Sequence, residues 1–263
     1  MFVVVLAEAG PGIQDDLPAV SQVLGLTIYE TRVLLAAGTP QVLLTTREVE
    51  RAEGIAGALR QRGYGAVVVS AKDVVPSPRM LQLRAFSLER DALRADSAQP
   101  HLLPYADVHS LVRAMHRSAT ETIGEEKVRK FSVVKMATVG IPTRTVTKAT
   151  KNIGEERSQV LYLFPFDGPP WILEEQAAKY THMGEAMAPT KFAHFQRAVE
   201  LLRARMPHAT FDTRLTTPRH FSDKVMAHLA DGSNKVSSSF SVDLLAHGIA
   251  SHVRSKAAAT PYR

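Results

Sequence analysis

Residues 159–206 constrain the fold more than any other part of the chain, because a strand, a tight turn, a second strand and an amphipathic helix follow one another there. Residues 159–166 (QVLYLFPF) are apolar and rich in aromatic and β-branched side chains, Asp167 and Gly168 form a turn dipeptide, and residues 169–175 (PPWILEE) return as a partner strand. After a connector at 177–188, Phe192, Phe195, Val199, Leu202 and Met206 recur at spacings of three and four, with Lys191, Arg197, Arg203 and Arg205 elsewhere around the helix. That stripe must find a sheet to cover. Trp171, beside Pro169 and Pro170, suits a core anchor better than a peptide-binding platform.

Upstream, residues 2–6 read as a buried strand that ends at Gly10 and Gly12. A helical region over 15–37 bends at Gly25, residues 41–45 form a strand, and Thr46 serves as N-cap of a helix over 47–62 with Gly63 as its C-cap. Residues 64–70 make a third strand. Composition then shifts to a linker at 74–78 (VVPSP), and a second domain begins near Met80. There, apolar positions from Leu81 to Leu93 suggest a strand pair turning at 89–91, residues 102–113 one further strand, and 131–134 another. Residues 209–215 pack back as a short extended piece. Beyond Pro218, helical fragments at 221–229 and 242–253 flank a Ser-rich stretch.

The expected fold class is therefore α+β. A small strand-helix-helix-strand-helix-strand domain occupies residues 1–73 and is expected to fold alone; an antiparallel β barrel-like domain capped by its C-terminal helix occupies 80–217; a flexible basic tail with short helices occupies 218–263. A chain of 263 residues accommodates two such domains, since domains usually run to ~100–150 residues.

The element order over residues 2–70 resembles the C-terminal domain of the bacterial ribosomal stalk protein. The match rests on the first strand, the Gly25-Leu26 bend followed by a helix with Glu30 and Leu34, the break at Pro40, and Ala52, Leu59, Gly63 and Val67 in the last helix and strand. In that family the helices recruit translational GTPases through basic residues along the first helix and at the start of the second. The corresponding places here hold Pro18, Ser21 and Tyr29. The second domain, with several antiparallel strands closed by a helix, resembles a pleckstrin-homology-like domain, which implies that an early basic loop binds inositol phosphates.

Cysteine is absent, which excludes disulfides, zinc thiolate sites and cysteine nucleophiles together. The net charge of +6 makes an anionic partner plausible. The apolar N-terminal run lacks a basic flank, and no apolar run approaches the ~20 residues that span a bilayer, so the chain is expected to be cytoplasmic with no transmembrane segment.

Between Lys127 and Gly154, seven Lys and Arg side chains occur without one Asp or Glu, and five threonines are interleaved. Lys130, Lys135, Arg144, Lys148 and Lys151 are the candidate anion-binding residues, since cationic side chains supply charge while hydroxyls and loop amides supply direction. The alternative is a solvated basic loop. Nucleic acid is not expected as a specific ligand, because Phe131 is the only aromatic residue in the stretch. The ten histidines show no His-Glu-x-x-His spacing and read as solvated or core-edge residues, so no metal site is expected. The paired carboxylates Glu125-Glu126 and Glu174-Glu175 point to opposite faces of strands. No nucleophile elbow, dinucleotide fingerprint or phosphate loop is present. No catalytic residue and no cofactor is assigned. These features favour a non-catalytic adaptor that binds a protein partner and, through the basic segment, an anionic lipid or polyphosphate. A ribosome- or translation-factor-associated protein and an enzyme with an unmotifed site are the alternatives.

Overall fold

A computed structural model describes residues 1–10, 12, 15–36, 38–96, 99–131, 143–180, 190–217 and 238–259. In chain order the first elements are β1 (Phe2–Glu8), α1 (Leu17–Leu24), α2 (Ile28–Ala36), β2 (Gln41–Thr46), α3 (Val49–Gln61) and β3 (Gly65–Ser70). β1 is the middle strand of an antiparallel sheet, flanked by β2 and β3. Because side chains alternate along a strand, the apolar run of β1 buries two faces. Val4 and Leu6 join Leu43 and Ala66 against Val20 and Leu24 of α1 and Ala52, Ala56 and Leu59 of α3. Val3 and Val5 join Val42, Val67 and Val69 on the opposite face. Gly25 takes the left-handed conformation (φ +68°) that ends α1, as the sequence suggests. Thr46 is not the cap of α3: Glu48 occupies the N-cap position, and the Thr46 hydroxyl instead accepts from the Glu48 N–H at 3.2 Å.

The remaining strands are β4 (Leu81–Gln82), β5 (Phe86–Leu88), β6 (Ala92–Ala95), β7 (His101–Pro104), β8 (Val108–Phe131), β9 (Thr143–Pro165), β10 (Trp171–Glu174) and β11 (Thr210–Leu215), with helices α4 (Lys191–Arg205) and α5 (Ser238–Ala259). The expected hairpin forms as β9 and β10, with Trp171 opposite Leu163 and Glu174 opposite Val160. It lies in a five-stranded sheet of order β11-β8-β9-β10-β4, while β5-β6-β7 form a separate antiparallel sheet. The barrel-like expectation is corrected: among the described residues no sheet closes, and the five-stranded sheet is mixed, with β4 parallel to β10 and β11 parallel to β8. The single strand expected over 102–113 is also interrupted. A 3-10 turn at Tyr105–Asp107 follows Pro104, whose fixed φ and missing N–H end the pairing of β7, and the chain re-enters a different sheet at β8.

Alternation again sorts the five-stranded sheet into two buried faces. Leu111, Leu161, Leu163, Trp171 and Leu173 meet Phe195, Ala198, Val199 and Leu202 of α4 and Leu93 and Leu103 of the small sheet. Val112, Val160, Tyr162, Phe164 and Ile172 face the other way and share one core with Val3, Val5, Val67 and Val69. Between these two apolar sheet faces runs α5, with Leu244, Leu245, Ala246 and Ile249 fully or almost fully buried. Gly248 permits the approach, since a Cβ there would lie 2.7 Å from Cγ1 of Val5.

Two expectations therefore change. The basic tail at 218–263 contains a 22-residue helix packed into the core, while the fragment expected at 221–229 lies outside the described residues. The division between 1–73 and 80–217 is no boundary in packing, because a single core spans both. The chain does split elsewhere: residues 1–116 with 158–263 form one compact unit, and residues 117–157, which include parts of β8 and β9, form another.

Two measurements test these assignments. Phe195 is fully buried, so Phe195→Ala should cost ~3–5 kcal/mol in a denaturant titration. A chain ending at residue 237 should lose its cooperative melt, and so should the isolated fragment 1–73, because Val3, Val5, Val67 and Val69 would then face water; a sharp transition in the fragment would show that its second face needs no cover.

Candidate functional site

α5 places His247, Ala250, Ser251 and Arg254 on one helical face, at spacings of three and four. That face forms one wall of a cleft of about 360 Å³. The β9–β10 turn, from Phe166 through Pro170, forms a second wall, and Asp73 and Val75, which follow β3, form a third. Gly168 adopts a positive φ of 92°, which lets the turn reverse before Pro169. The floor is a run of rings: His247 meets Phe164 edge-on at 5.1 Å between centroids, and His109 of β8 lies 5.1 Å from Phe166.

Both imidazoles are neutral. Nε2 of His247 accepts from the Val75 N–H at 3.2 Å, so its proton is on Nδ1, which donates to the Asp243 carbonyl at 2.8 Å. Burial lowers its pKa below the usual histidine value. Burial also pushes His109 down to about 4; the positive Arg254 adds to this, and a hydrogen bond to the Pro165 backbone opposes it. Nδ1 of His109 further contacts the Ser110 hydroxyl at 2.8 Å. With their ring nitrogens already engaged in the fold, these histidines offer ring faces rather than a proton relay. Asp73, Asp167 and Arg254 are exposed, and none of the three makes a side-chain hydrogen bond or ion pair among the described residues.

Behind the cleft lies a buried polar cluster. Asp243 on α5 is fully buried and accepts from the Ser77 N–H at 2.8 Å, from the Ser77 hydroxyl, and from the Tyr162 hydroxyl at 2.7 Å. His116 Nε2 lies 2.6 Å from the Tyr162 hydroxyl and 3.7 Å from the Asp243 carboxylate. Burial alone would raise the Asp243 pKa, but the nearby His116 and the hydrogen bonds from Ser77 and Tyr162 outweigh it and hold the carboxyl below its ordinary value. Burial and the adjacent carboxylate push the Tyr162 hydroxyl far up. Serine, histidine and aspartate do meet here, but the serine donates to the carboxylate rather than to the imidazole, and Ser77 is itself buried. The cluster joins α5 to the 3-10 turn at Ser77–Arg79, to β8 and to β9. It has no activated nucleophile.

The basic segment falls mostly within the second unit. Lys130 lies next to the end of β8, and Arg144, Lys148 and Lys151 lie along β9, so the backbone at these four residues is strand. Lys135 lies outside the described residues. Of the other histidines considered as ligands, His194 stacks on Tyr180 at 5.2 Å and His252 pairs with Glu8 at 2.8 Å, while His182 lies outside the described residues. Among the described residues no helix is long and apolar enough to cross a membrane. A further surface lies on α2, whose one buried residue is Thr31. Leu26, Ile28, Tyr29 and Val33 are 36%, 47%, 73% and 56% exposed.

No protein-family model, curated protein or solved structure matches the chain.

The sequence reads His109 and His247 as solvated or core-edge residues, and the structure shows His109 buried and His247 half-buried at a cleft that the sequence does not reveal. Its walls come from four separate stretches, and one of them, α5, had been read as part of a flexible tail. The usable signal was the i, i+3, i+4, i+7 placement of His247, Ala250, Ser251 and Arg254.

The neutral histidines set a pH dependence. Above pH 6.5 they are uncharged whether the chain is folded or not; below it the unfolded chain takes up protons that the folded chain refuses, in the case of His109 until about pH 4. Stability should therefore fall as pH drops through this window. In urea titrations, His109→Gln should flatten that decline relative to the parent protein, and identical slopes would mean that folding leaves the His109 pKa at its unfolded value.

Proposed function

We propose that the chain is a non-catalytic binding protein that engages a protein partner through the α2 surface. The observation that carries this reading is the inverted character of α2. An ordinary surface helix buries its apolar stripe, whereas this helix turns only Leu34 and Leu35 partly into the core, buries a threonine, and leaves Ile28, Tyr29 and Val33 in water. Tyr29 and Val33 are one turn apart and so share a face, and Leu26 adjoins them at the helix entry. A grouped set of exposed large apolar side chains marks interaction surfaces, and a tyrosine at its centre is the residue type that most often anchors one.

The α2 surface occupies the part of the chain that resembles the ribosomal stalk domain, where that family meets its GTPases. This supports a translation-factor-associated role as the second reading. Tyr29 stands where the family carries a basic residue, so the contact proposed here is apolar rather than electrostatic. The basic segment with Lys130, Arg144, Lys148 and Lys151 is proposed as the place where an anionic lipid or polyphosphate is held, separately from the protein partner.

A photoreactive amino acid placed at position 29 should give a discrete cross-linked adduct in native cells, whereas the same group at the exposed Arg90 should not. Adding Val33→Asp should remove the adduct without altering the melting curve. With the captured partner purified, Tyr29→Ala should weaken binding by about tenfold or more, the loss typical of a central anchor. Absence of an adduct at position 29, or equal adducts at both positions, would remove α2 as the docking surface.

A further inference from the structure

The cleft beside α5 contains three charges that the fold leaves unpaired. Arg254 stands on the α5 wall, Asp167 on the β9–β10 turn, and Asp73 on the segment after β3. Opposite charges attract, yet among the described residues no ion pair forms between any two of the three. The far side of α5 is packed between two sheets, and His247 holds its near side to the Val75 backbone. The turn is held by the β9–β10 ladder. The Asp73 segment is held at one end by the hydrogen bond from the Asp73 N–H to Ser70 O, and at the other by the Ser77 bonds to Asp243. Bringing the three segments together would break these contacts, so the cleft between them is a standing feature of the fold.

Between the charges lies an aromatic floor. Phe166 leaves 39% of its surface exposed, and His109 lies against it. As a neutral ring, His109 adds apolar surface without adding charge. The cleft volume of about 360 Å³ lies near the lower end of the ~300–1,000 Å³ range of small-molecule sites. With two carboxylates and one guanidinium, the cleft disfavours a purely anionic ligand and leaves the guanidinium idle against a purely cationic one.

We propose that this cleft binds a free α-amino acid with an apolar or aromatic side chain. Its carboxylate pairs with Arg254, its ammonium group with Asp167 and Asp73, and its side chain lies on Phe166 and His109. A fixed, planar guanidinium suits a carboxylate, which it can meet with two parallel hydrogen bonds. The site is separate from the α2 surface and does not depend on it.

Calorimetric titration of the full chain with L-phenylalanine tests the proposal. Saturable binding of one equivalent is expected. Phenylpropionate, which lacks the ammonium group, phenethylamine, which lacks the carboxylate, and glycine, which lacks the ring, should each bind about tenfold or more weakly, as expected for the loss of a charge-assisted contact or an apolar one. The variants should then erase matching differences. Arg254→Gln should bring phenylalanine down to the level of phenethylamine, and Asp167→Asn combined with Asp73→Asn should bring it down to phenylpropionate. All three positions are exposed, so the variants should keep the parent melting curve. Lack of saturable phenylalanine binding, equal binding of the analogues, or an Arg254→Gln variant that still prefers phenylalanine over phenethylamine would overturn the assignment.

Discussion

A strand that is apolar on both faces requires two covers, and the rest of the architecture follows from that requirement. Val4 and Leu6 receive theirs locally from α1 and α3; Val3 and Val5 receive theirs from α5, more than 230 residues further along the chain. Because α5 lies between two apolar sheets, its middle is buried on all sides, and its single acidic residue there has to be neutralised by hydrogen bonds. Asp243 is accordingly met by the Ser77 backbone and hydroxyl and by Tyr162. Removing those donors would leave a buried charge uncompensated, a far larger cost than the loss of an exposed ion pair.

Other polar contacts join the same layers nearer the surface. Glu8 on β1 accepts from His252 and Lys256 on α5, and these two bonds lower its pKa. Arg214, after bonding Asp212, reaches the Ala7 carbonyl at 2.6 Å and the Thr39 hydroxyl at 3.0 Å, tying β11 to the first sheet. Arg113 spans from Gln159 to Gln196 and lies 5.6 Å from the Phe195 ring centroid, linking the five-stranded sheet to α4. The half-exposed Glu8–Lys256 pair contributes little to stability, as solvated pairs do; its value is in fixing which way α5 lies.

The same helix that completes the core also builds the cleft. Leu245 and Ile249 face the sheets, while Ser251 and Arg254 reach the opening, so helix packing and cleft geometry are one property. The α2 surface differs in kind. It stands on a peripheral helix with a single buried residue, and altering its exposed side chains leaves the three cores untouched. Binding at α2 and binding in the cleft are therefore separable by mutation.

Local pattern by itself determined the elements whose partners lie close in sequence. The β9–β10 hairpin is written in Asp167-Gly168 between two apolar runs, the bend at Gly25 in a glycine that takes a left-handed φ, and α4 in the stripe that carries Phe195 and Leu202. The unbroken apolar run of β1 already implied two covered faces, although nothing nearby in the chain identifies the second cover. A helix over 242–253 was legible too, but tertiary structure alone decided the burial of α5 and the cleft. A helix buried all round has no stripe to read, so Leu244, Leu245, Ala246 and Ile249 resemble a tail until two sheets enclose them. Likewise Asp73, His109, Asp167 and Arg254 share no spacing in the sequence, and only the packing of α5 against β1, β3 and β9 brings them to one opening.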